Sequence, residues 1–323
     1  MGQPEQHAAR RPGRYAAIDI GTVTCRMLLA DVDACGTLHE LRREYAITNL
    51  GEGVDASGVL RPAAMERVAA TVARYRQIIA DCADQAHPQT TVIAFATSAA
   101  RDAENAADFA ALLEGLGVHL SVIPGAKEAA LSFRGASCGH EGERLLVVDV
   151  GGGSTEVVAG RGGEDPERAH SFDIGCRRVT EKFLAGDPPT DAEIGRARAW
   201  IEDGMRAYFA ELRGAGLLPA QIIAVAGTAT SVVSIHERMA VYDSARVHGA
   251  QVPSAVLDEV YRRLREVPLA ERRRIVGLDP ERAGVIVAGM LILQAVLSLA
   301  DAPGFTASET DILQGAILDA ATK

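Results

Sequence analysis

Two short segments carry the residue types that phosphate chemistry needs. Ile18-Asp19-Ile20-Gly21-Thr22-Val23-Thr24 and Val148-Asp149-Val150-Gly151-Gly152-Gly153-Ser154 share one plan: apolar residues running into Asp-x-Gly, then small or hydroxylated residues. Such a turn lets backbone N–H groups approach a ligand because little or no side chain blocks the way. Successive N–H groups then form a concavity for anions. A single turn of this kind usually serves as a plain hairpin. Two related ones, each behind an aspartate, point to a phosphate held from both sides. Asp19 and Asp149 suit a hydrated Mg²⁺ or Mn²⁺, since Mg²⁺ takes one or two carboxylates plus phosphate oxygens. A third small-residue turn, Gly227 to Ser231, opens a helix; it fits either a phosphate contact or an ordinary Thr N-cap.

The elements around these turns must aim them at each other. The first half reads as strands over Tyr15–Ile20, Cys25–Val32 and His39–Asn49, then a helix from Pro62 to about Ala86 with Val68, Val72, Tyr75, Ile78 and Ile79 on one face. A strand at Thr91–Ala96, a helix at Asp102–Glu114 and a strand at Val118–Ile123 complete a βββαβαβ order. The second half repeats it: strands at Leu145–Val150, Thr155–Ala159 and Ala169–Ile174, a helix over Asp191–Arg213, a strand at Ile222–Ala226 and a helix at Thr228–Arg238. The stretch from Asp243 to Arg274 reads as helical and charged, and two helices close the chain. Two alike units predict two α/β domains facing each other across a cleft.

The bulk properties agree. The chain has 323 residues, 48% hydrophobic and 24% charged, with a net charge of −10, which argues against a general nucleic-acid binder. Its five cysteines form no C-x-x-C pair, so a cytoplasmic setting is expected rather than a disulfide framework. Met1 to Gly13 reads as a loose polar tail without a signal peptide's apolar core. Val285 to Ala300 is strongly apolar but short for a membrane span and reads as a helix buried within a domain.

With these segments in place, the chain resembles the exopolyphosphatase/guanosine pentaphosphatase family in its short two-domain form. AAIDIGTVTCRMLLADV looks like that family's first phosphate loop and LLVVDVGGGSTEVV like its second. ATSAARDAENAADF, VIPGAKEAALSFRGA, VAGTATSVV, RVHGAQV, PLAERRRIVGLDPERAGVIVAGMLIL and ETDILQGAIL continue the match from about Arg14 onward. The resemblance implies an actin-like, ribonuclease-H-like fold, with residues 14–128 as domain I, completed by a C-terminal helix at 305–323, and 129–304 as domain II. It implies metal-dependent removal of the terminal phosphate of inorganic polyphosphate, or of guanosine pentaphosphate, by a possible homodimer. Glu128 takes the place of the general base and Glu156 that of a second carboxylate beside the metal or water. Asp149 and Asp19 are the other metal candidates. Gly21, Thr22, Thr24, Arg101, Gly151, Gly152, Gly153 and Ser154 fall in phosphate-binding positions. Arginine's planar fork suits that duty. Arg26 reads better as a structural ion pair, and Ser154 as a phosphate contact rather than a nucleophile.

Two departures from the family pattern stand out. Val23 replaces an amide side chain in the usual Gly-Ser-Asn-Ser loop. Lys127 replaces the first of two adjacent glutamates, where its charge could hold a polyanion or depress the pKa of Glu128. The arginines at 262, 263, 265, 272, 273 and 274, like Arg177, Arg178 and Lys182, read as solvated helix faces. Two other readings stay open. One is an ATP-dependent kinase on the same fold. The other is a sensor that binds polyphosphate or an alarmone without turnover.

Overall fold

The computed structural model describes residues 11–218 and 221–322. Residues 1–10 of the expected tail lie outside the described residues. The chain is already ordered at Arg11, whose amide donates to the Ala321 carbonyl at 2.7 Å.

The first half builds one sheet. β1 (Gly13–Ile20) and β2 (Thr24–Val32) form an antiparallel hairpin extended by β3 (Leu38–Ile47). After the short α1 (Val54–Ser57), α2 (Pro62–Asp81) begins on a proline, which costs no helical hydrogen bond at that position. α2 buries Val68, Val72, Tyr75 and Ile79 at helical spacing. β4 (Thr90–Ala96) then pairs parallel to β1. A short α3 (Ser98–Arg101) follows, and the helix expected at Asp102–Glu114 begins only at Ala106, as α4 (Ala106–Glu114). β5 (Leu120–Val122) closes the sheet in the order β3-β2-β1-β4-β5. β1 is buried along almost its whole length, so it reads as a continuous apolar run rather than an alternating one.

α5 (Gly125–Ala136) crosses to the second half, and the plan repeats. β6 (Arg144–Val150), β7 (Thr155–Arg161) and β8 (Arg168–Phe172) are antiparallel. α6 (Cys176–Phe183) follows, then α7 (Asp191–Gly214), opened by a capping box between Thr190 and Glu193. β9 (Ile222–Val225) pairs parallel to β6 and leads into α8 (Ala226–His236). The region expected to be wholly helical contains α9 (Ser244–Val247), then β10 (Gln251–Pro253), then α10 (Ser254–Arg265) and α11 (Leu269–Arg272). α12 (Ile286–Ala300) buries eleven of its residues in the core, as its apolar sequence predicts. Among the described residues no helix is long and apolar enough to cross a membrane. β11 (Gly304–Ala307) and α13 (Ile312–Thr322) finish the chain.

The second sheet runs β10-β11-β9-β6-β7-β8. Apart from β10, its order and strand directions mirror those of the first sheet. This is the duplicated α/β organisation that the repeat predicts, and it agrees with the actin-like fold that the resemblance implies. Two expected boundaries shift. Residues 305–307 pair in the second sheet, so the C-terminal segment joins the first only from Ile312. α5 runs unbroken through the expected division at residue 128.

α5 is the hinge-pin of the arrangement. Leu131 packs with α13 on the first sheet, while Ala129, Phe133 and Ala136 pack on β6, β7 and β9. It meets α13 at a glycine crossing: a Cβ on Gly135 would lie 1.7 Å from the Asp311 carbonyl oxygen, and one on Gly315 1.9 Å from that of Leu131. Only glycine permits that approach.

Candidate active site

Both expected phosphate turns fall at the tips of hairpins, Gly21–Val23 between β1 and β2 and Gly151–Ser154 between β6 and β7. Their polarity follows from where their carbonyls go. In the first turn, the Thr22 carbonyl accepts from the Gly51 amide (2.9 Å), and that of Val23 from Thr48 (3.0 Å) and Asn49 (2.9 Å). In the second, the Gly151 carbonyl accepts from Cys176 (2.9 Å) and that of Gly152 from Arg177 (2.9 Å) and Arg178 (3.3 Å). These donors are first-turn amides of α6, which have no partner inside their own helix. Among the described residues, the amides of Thr22, Val23, Gly152, Gly153 and Ser154 have no acceptor. Because N–H and C=O of a trans peptide point opposite ways, fixing the carbonyls of Thr22, Gly151 and Gly152 outward turns the amides of Val23, Gly152 and Gly153 toward the gap between the loops.

That gap is a cavity of about 100 Å³, lined by both loops together with Asp19, Thr24, Arg26, Thr97, Glu128 and Asp149. It has room for a phosphoryl group and a neighbouring water. Across it the loops touch: a Cβ on Gly152 would lie 2.7 Å from Val23 Cγ2, and one on Gly153 2.8 Å from Thr22 Oγ1. Val23 is 8% exposed and packs into the second half's core. The residue that departs from the family pattern is therefore an apolar contact across the cleft.

Glu128 sits in the first turn of α5, where the helix N-terminus favours a carboxylate. Its Oε2 accepts from Arg101 Nη1 at 3.0 Å, and the same nitrogen also donates to the Ile123 carbonyl at 3.0 Å. Burial pushes Glu128 up to about 7 against the pull of Arg101, with Asp149 and Asp19 adding to the rise. Arg101 is thus brought to the carboxylate and does not itself line the cavity. Lys127 points the other way. It pairs with Asp319 of α13 at 3.0 Å, so its charge pins α5 to α13 and neither of the roles expected for it at the cleft applies.

The three remaining carboxylates divide by partner. Asp19 is held by Arg26, whose Nη2 reaches Oδ2 at 2.6 Å; Arg26 also pairs with Asp311, just ahead of α13, as its reading as a structural ion pair predicts. Burial raises the Asp19 pKa against the pull of Arg26. Asp149 accepts from the Ser132 hydroxyl at 2.7 Å, and burial pushes it up to about 6, with Arg26 and Ser132 opposing. Glu156, 1% exposed, lies behind Asp149 and accepts from Ser171 at 2.7 Å; burial, then Glu128 and Asp149, raise it well above the usual carboxylate range.

This donor set fits a hard divalent cation. Asp19 Oδ1 is buried with no hydrogen-bond partner, and Asp19 and Asp149 both line the cavity, whereas Glu156 does not. Among the described residues no three acidic, His or Cys side chains are grouped closely enough to hold an ion alone. A cation here would rely on one or two carboxylates and on oxygens from water or phosphate, as Mg²⁺ does.

One charged lining residue escaped the sequence reading. Arg282, between α11 and α12, reaches the cavity against Gly227, where a Cβ would lie 0.9 Å from its Nη1. Among the described residues its guanidinium forms no ion pair or hydrogen bond, and it sits 5.9 Å from the ring centre of Tyr45. Nothing in its local sequence separates it from surface arginines, although Gly227 shows in retrospect where a large side chain must pass. Arg282 also lines a second, larger cavity of about 830 Å³ with Tyr45, Met239, Tyr242, Arg273 and Arg274. The other basic residues sort differently. Arg272 is buried and donates to the carbonyls of Leu264, Val267 and Ala283. Arg177 bonds Asn49 across the cleft, and Arg178 is likewise tied into it, so neither belongs to a solvated face.

A duplicated α/β protein that presents two amide-lined loops and a buried glutamate to one small polar cavity is built to act on a phosphoryl group. Comparison with known proteins agrees. The sequence profile of the Ppx/GppA phosphatase family matches residues 28–323. Exopolyphosphatase 2 of Mycobacterium tuberculosis is 39% identical over 95% of this chain and 98% of its own. A crystal structure of an exopolyphosphatase-like protein superimposes with a TM-score of 0.87 at 32% identity, over 97% of this chain and 98% of that one. An exopolyphosphatase from Cytophaga hutchinsonii gives 0.84 at 25% identity, over 95% and 98%. The chain belongs to the Ppx/GppA phosphatase family.

Proposed function

We propose that the protein is an exopolyphosphatase that hydrolyses the terminal phosphoanhydride bond of inorganic polyphosphate. The observation that carries this is the pair of inverted loops meeting at a cavity of one phosphoryl group's size, with Glu128 on its wall.

The free amides of both loops, with Thr22, Thr24 and Ser154, hold the terminal phosphoryl oxygens. A buried set of fixed donors suits phosphoryl transfer, where catalysis is largely positioning and charge compensation. Arg101 holds Glu128 Oε2, leaving Oε1 to take a proton from water. The water oxygen bonds to phosphorus as the bridging P–O bond breaks, and the shortened chain departs with the bonding pair on its oxygen. Arg282 lies where it can offset that charge. Asp19 and Asp149 would hold Mg²⁺ or Mn²⁺, with Glu156 behind them, and the cation would offset charge on the phosphate oxygens. The five free thiols fit a cytoplasmic enzyme.

A second reading has its own support. The larger cavity shares Arg26, Ala226, Gly227 and Arg282 with the phosphate site and is lined by Tyr45, Tyr242 and Met239, a wall that suits a nucleoside. Guanosine pentaphosphate is therefore the competing substrate. Phosphate release from short polyphosphate, long polyphosphate and guanosine pentaphosphate, each with and without Mg²⁺, decides between them. Glu128→Gln is expected to lower turnover on the order of 1,000-fold while orthophosphate still binds. No release from any polyphosphate, or a fully active Glu128→Gln variant, overturns the reading.

A further inference from the structure

Arg178 makes a junction that the phosphatase reading leaves without a role. It sits in the first turn of α6, where the sequence suggests a solvated face, yet its side chain is only 16% exposed. Its Nε donates to the Gly153 carbonyl at 3.0 Å, one Nη pairs with Asp55, and the other with Asp102 Oδ2 at 2.5 Å. The guanidinium fork is thus shared among three acceptors from two halves of the molecule. Gly153 belongs to the second phosphate loop. Asp55, in α1, and Asp102, directly after α3, belong to the first half.

Each end of this junction leads to the chemistry. The Gly153 carbonyl and the Ser154 amide belong to one peptide unit and point opposite ways. Holding the carbonyl aims the amide, which has no protein acceptor and belongs to a cavity-lining residue. Asp102 follows Arg101, the residue that orients Glu128, and also accepts from Ser98 at 3.3 Å. Two further contacts cross the cleft beside it, Arg177 to Asn49 and the Gly53 amide to Glu181 at 3.3 Å. Those two side-chain contacts fasten the halves together; of the three, only the Arg178 side chain also grips a loop carbonyl.

We propose that Arg178 is a positioning residue that couples closure of the cleft to the geometry of the second phosphate loop. With the cleft shut, Asp55 and Asp102 hold the guanidinium where it fixes the Gly153–Ser154 peptide. With the cleft open, both carboxylates withdraw and that peptide loses its anchor. The phosphate-binding amides are therefore assembled only around an enclosed substrate. The inference rests on the site holding a terminal phosphate, whatever the rest of the substrate is.

The test uses Arg178→Met, Arg178→Lys, Asp55→Asn and Asp102→Asn. Tripolyphosphate turnover, orthophosphate binding by calorimetry and thermal unfolding are measured on each. Misplacing a binding group by about an ångström can cost on the order of 100-fold, so Arg178→Met is expected to lower kcat/KM by about 10- to 100-fold and to weaken orthophosphate binding in parallel. Arg178→Lys keeps the charge but cannot span three acceptors, and it is expected to behave like Met. The aspartate variants are expected to lose about 3- to 10-fold, and adding either to Arg178→Met should cost nothing further. Should Arg178→Met unfold, the aspartate variants carry the same test. Orthophosphate affinity unchanged in every variant, full rescue by lysine, or losses that simply multiply would each overturn the coupling. A parent that binds orthophosphate without releasing it from tripolyphosphate would instead overturn the polyphosphate reading and leave the junction testable by binding.

Discussion

The two hairpins that frame the cavity, β1–β2 and β6–β7, have the same path and opposite electrostatics. In the first, Asp19 stands across the strands from Arg26; in the second, the equivalent Asp149 stands across from Glu156. The far ends differ in the same way: Arg14 faces Asp31, whereas Arg144 faces Arg161. The first hairpin is charge-complementary at both ends and is locked to Asp311 through Arg26. The second stacks like charges at both ends. Duplication kept the backbone that makes amides available and let the charges diverge. The first half acquired a rigid platform, and the second a buried surplus of negative charge that suits an incoming cation. The glycines follow the same division: Thr22 and Val23 press across the cleft, so the second loop has no room for side chains at 152 and 153.

Charge substitutions at the paired positions break this comparison most sharply. Arg26→Met leaves Asp19 and Asp311 buried without their cation, and removing one partner of a buried pair costs about 3–5 kcal/mol. Urea unfolding should show that loss. Glu156→Gln has the opposite sign: it removes a buried charge crowded by Glu128 and Asp149, and the amide oxygen can still accept from Ser171. Its stability at pH 8 should equal or exceed the parent's while phosphate release falls by about 10- to 100-fold, the usual cost of losing a group behind a metal ligand. Equal destabilisation by both substitutions would show that the two hairpins do not differ as argued.

The duplication was legible because strand-Asp-x-Gly turns recur with a fixed order of elements, and α12 because its apolar run leaves no solvent face. β10 and β11 were missed because strands of three or four residues are too short to show alternation. The break between α3 and α4 gave no signal beyond a polar Asp-Ala-Glu-Asn run. At the site, local residue types pointed to the loops and aspartates. What stayed hidden were residues whose partners lie far along the chain: Lys127 with Asp319, Arg178 with Asp55 and Asp102, and Arg282 beside Gly227. A charged side chain carries no local mark of whether it faces water or a carboxylate a hundred residues away.

The glycine asymmetry gives a smaller effect with a built-in rescue. Gly152→Ala places a methyl group 2.7 Å from Val23 Cγ2 and 2.8 Å from Thr22 Cβ, so the loops must separate. Overpacking of this kind costs about 1–3 kcal/mol, and the displaced amides should weaken orthophosphate binding as well. Val23→Ala removes one of the two clashing groups, so the double variant should recover part of both losses. A double variant no better than Gly152→Ala alone would place the whole strain at Thr22 and remove Val23 from the contact between the loops.

The far ends of the hairpins give the smallest effect, distinguished by its pH dependence. Arg14 donates to both oxygens of Asp31, at 2.7 and 2.9 Å, and that hydrogen bonding holds the Asp31 carboxyl below its ordinary 3.8. A lowered folded-state value means that the pair's stabilisation is fully present above 3.8 and is lost as pH falls through the depressed value. Asp31→Asn should therefore be less stable than the parent by about 1 kcal/mol at pH 7, with the gap closing in acid. At the far end of the second hairpin Arg144 donates to the Gly216 carbonyl at 2.7 Å and stands 3.7 Å from Glu167, whereas Arg161 turns to the Gly142 carbonyl at 3.2 Å and has no carboxylate partner among the described residues. Replacing Arg161 with Met should accordingly shift stability by the same small amount at pH 7 and pH 3. A gap for Asp31→Asn that stays constant across that range would mean that the side chain is held by its shape alone and that charge pairing contributes nothing at this end of the first hairpin.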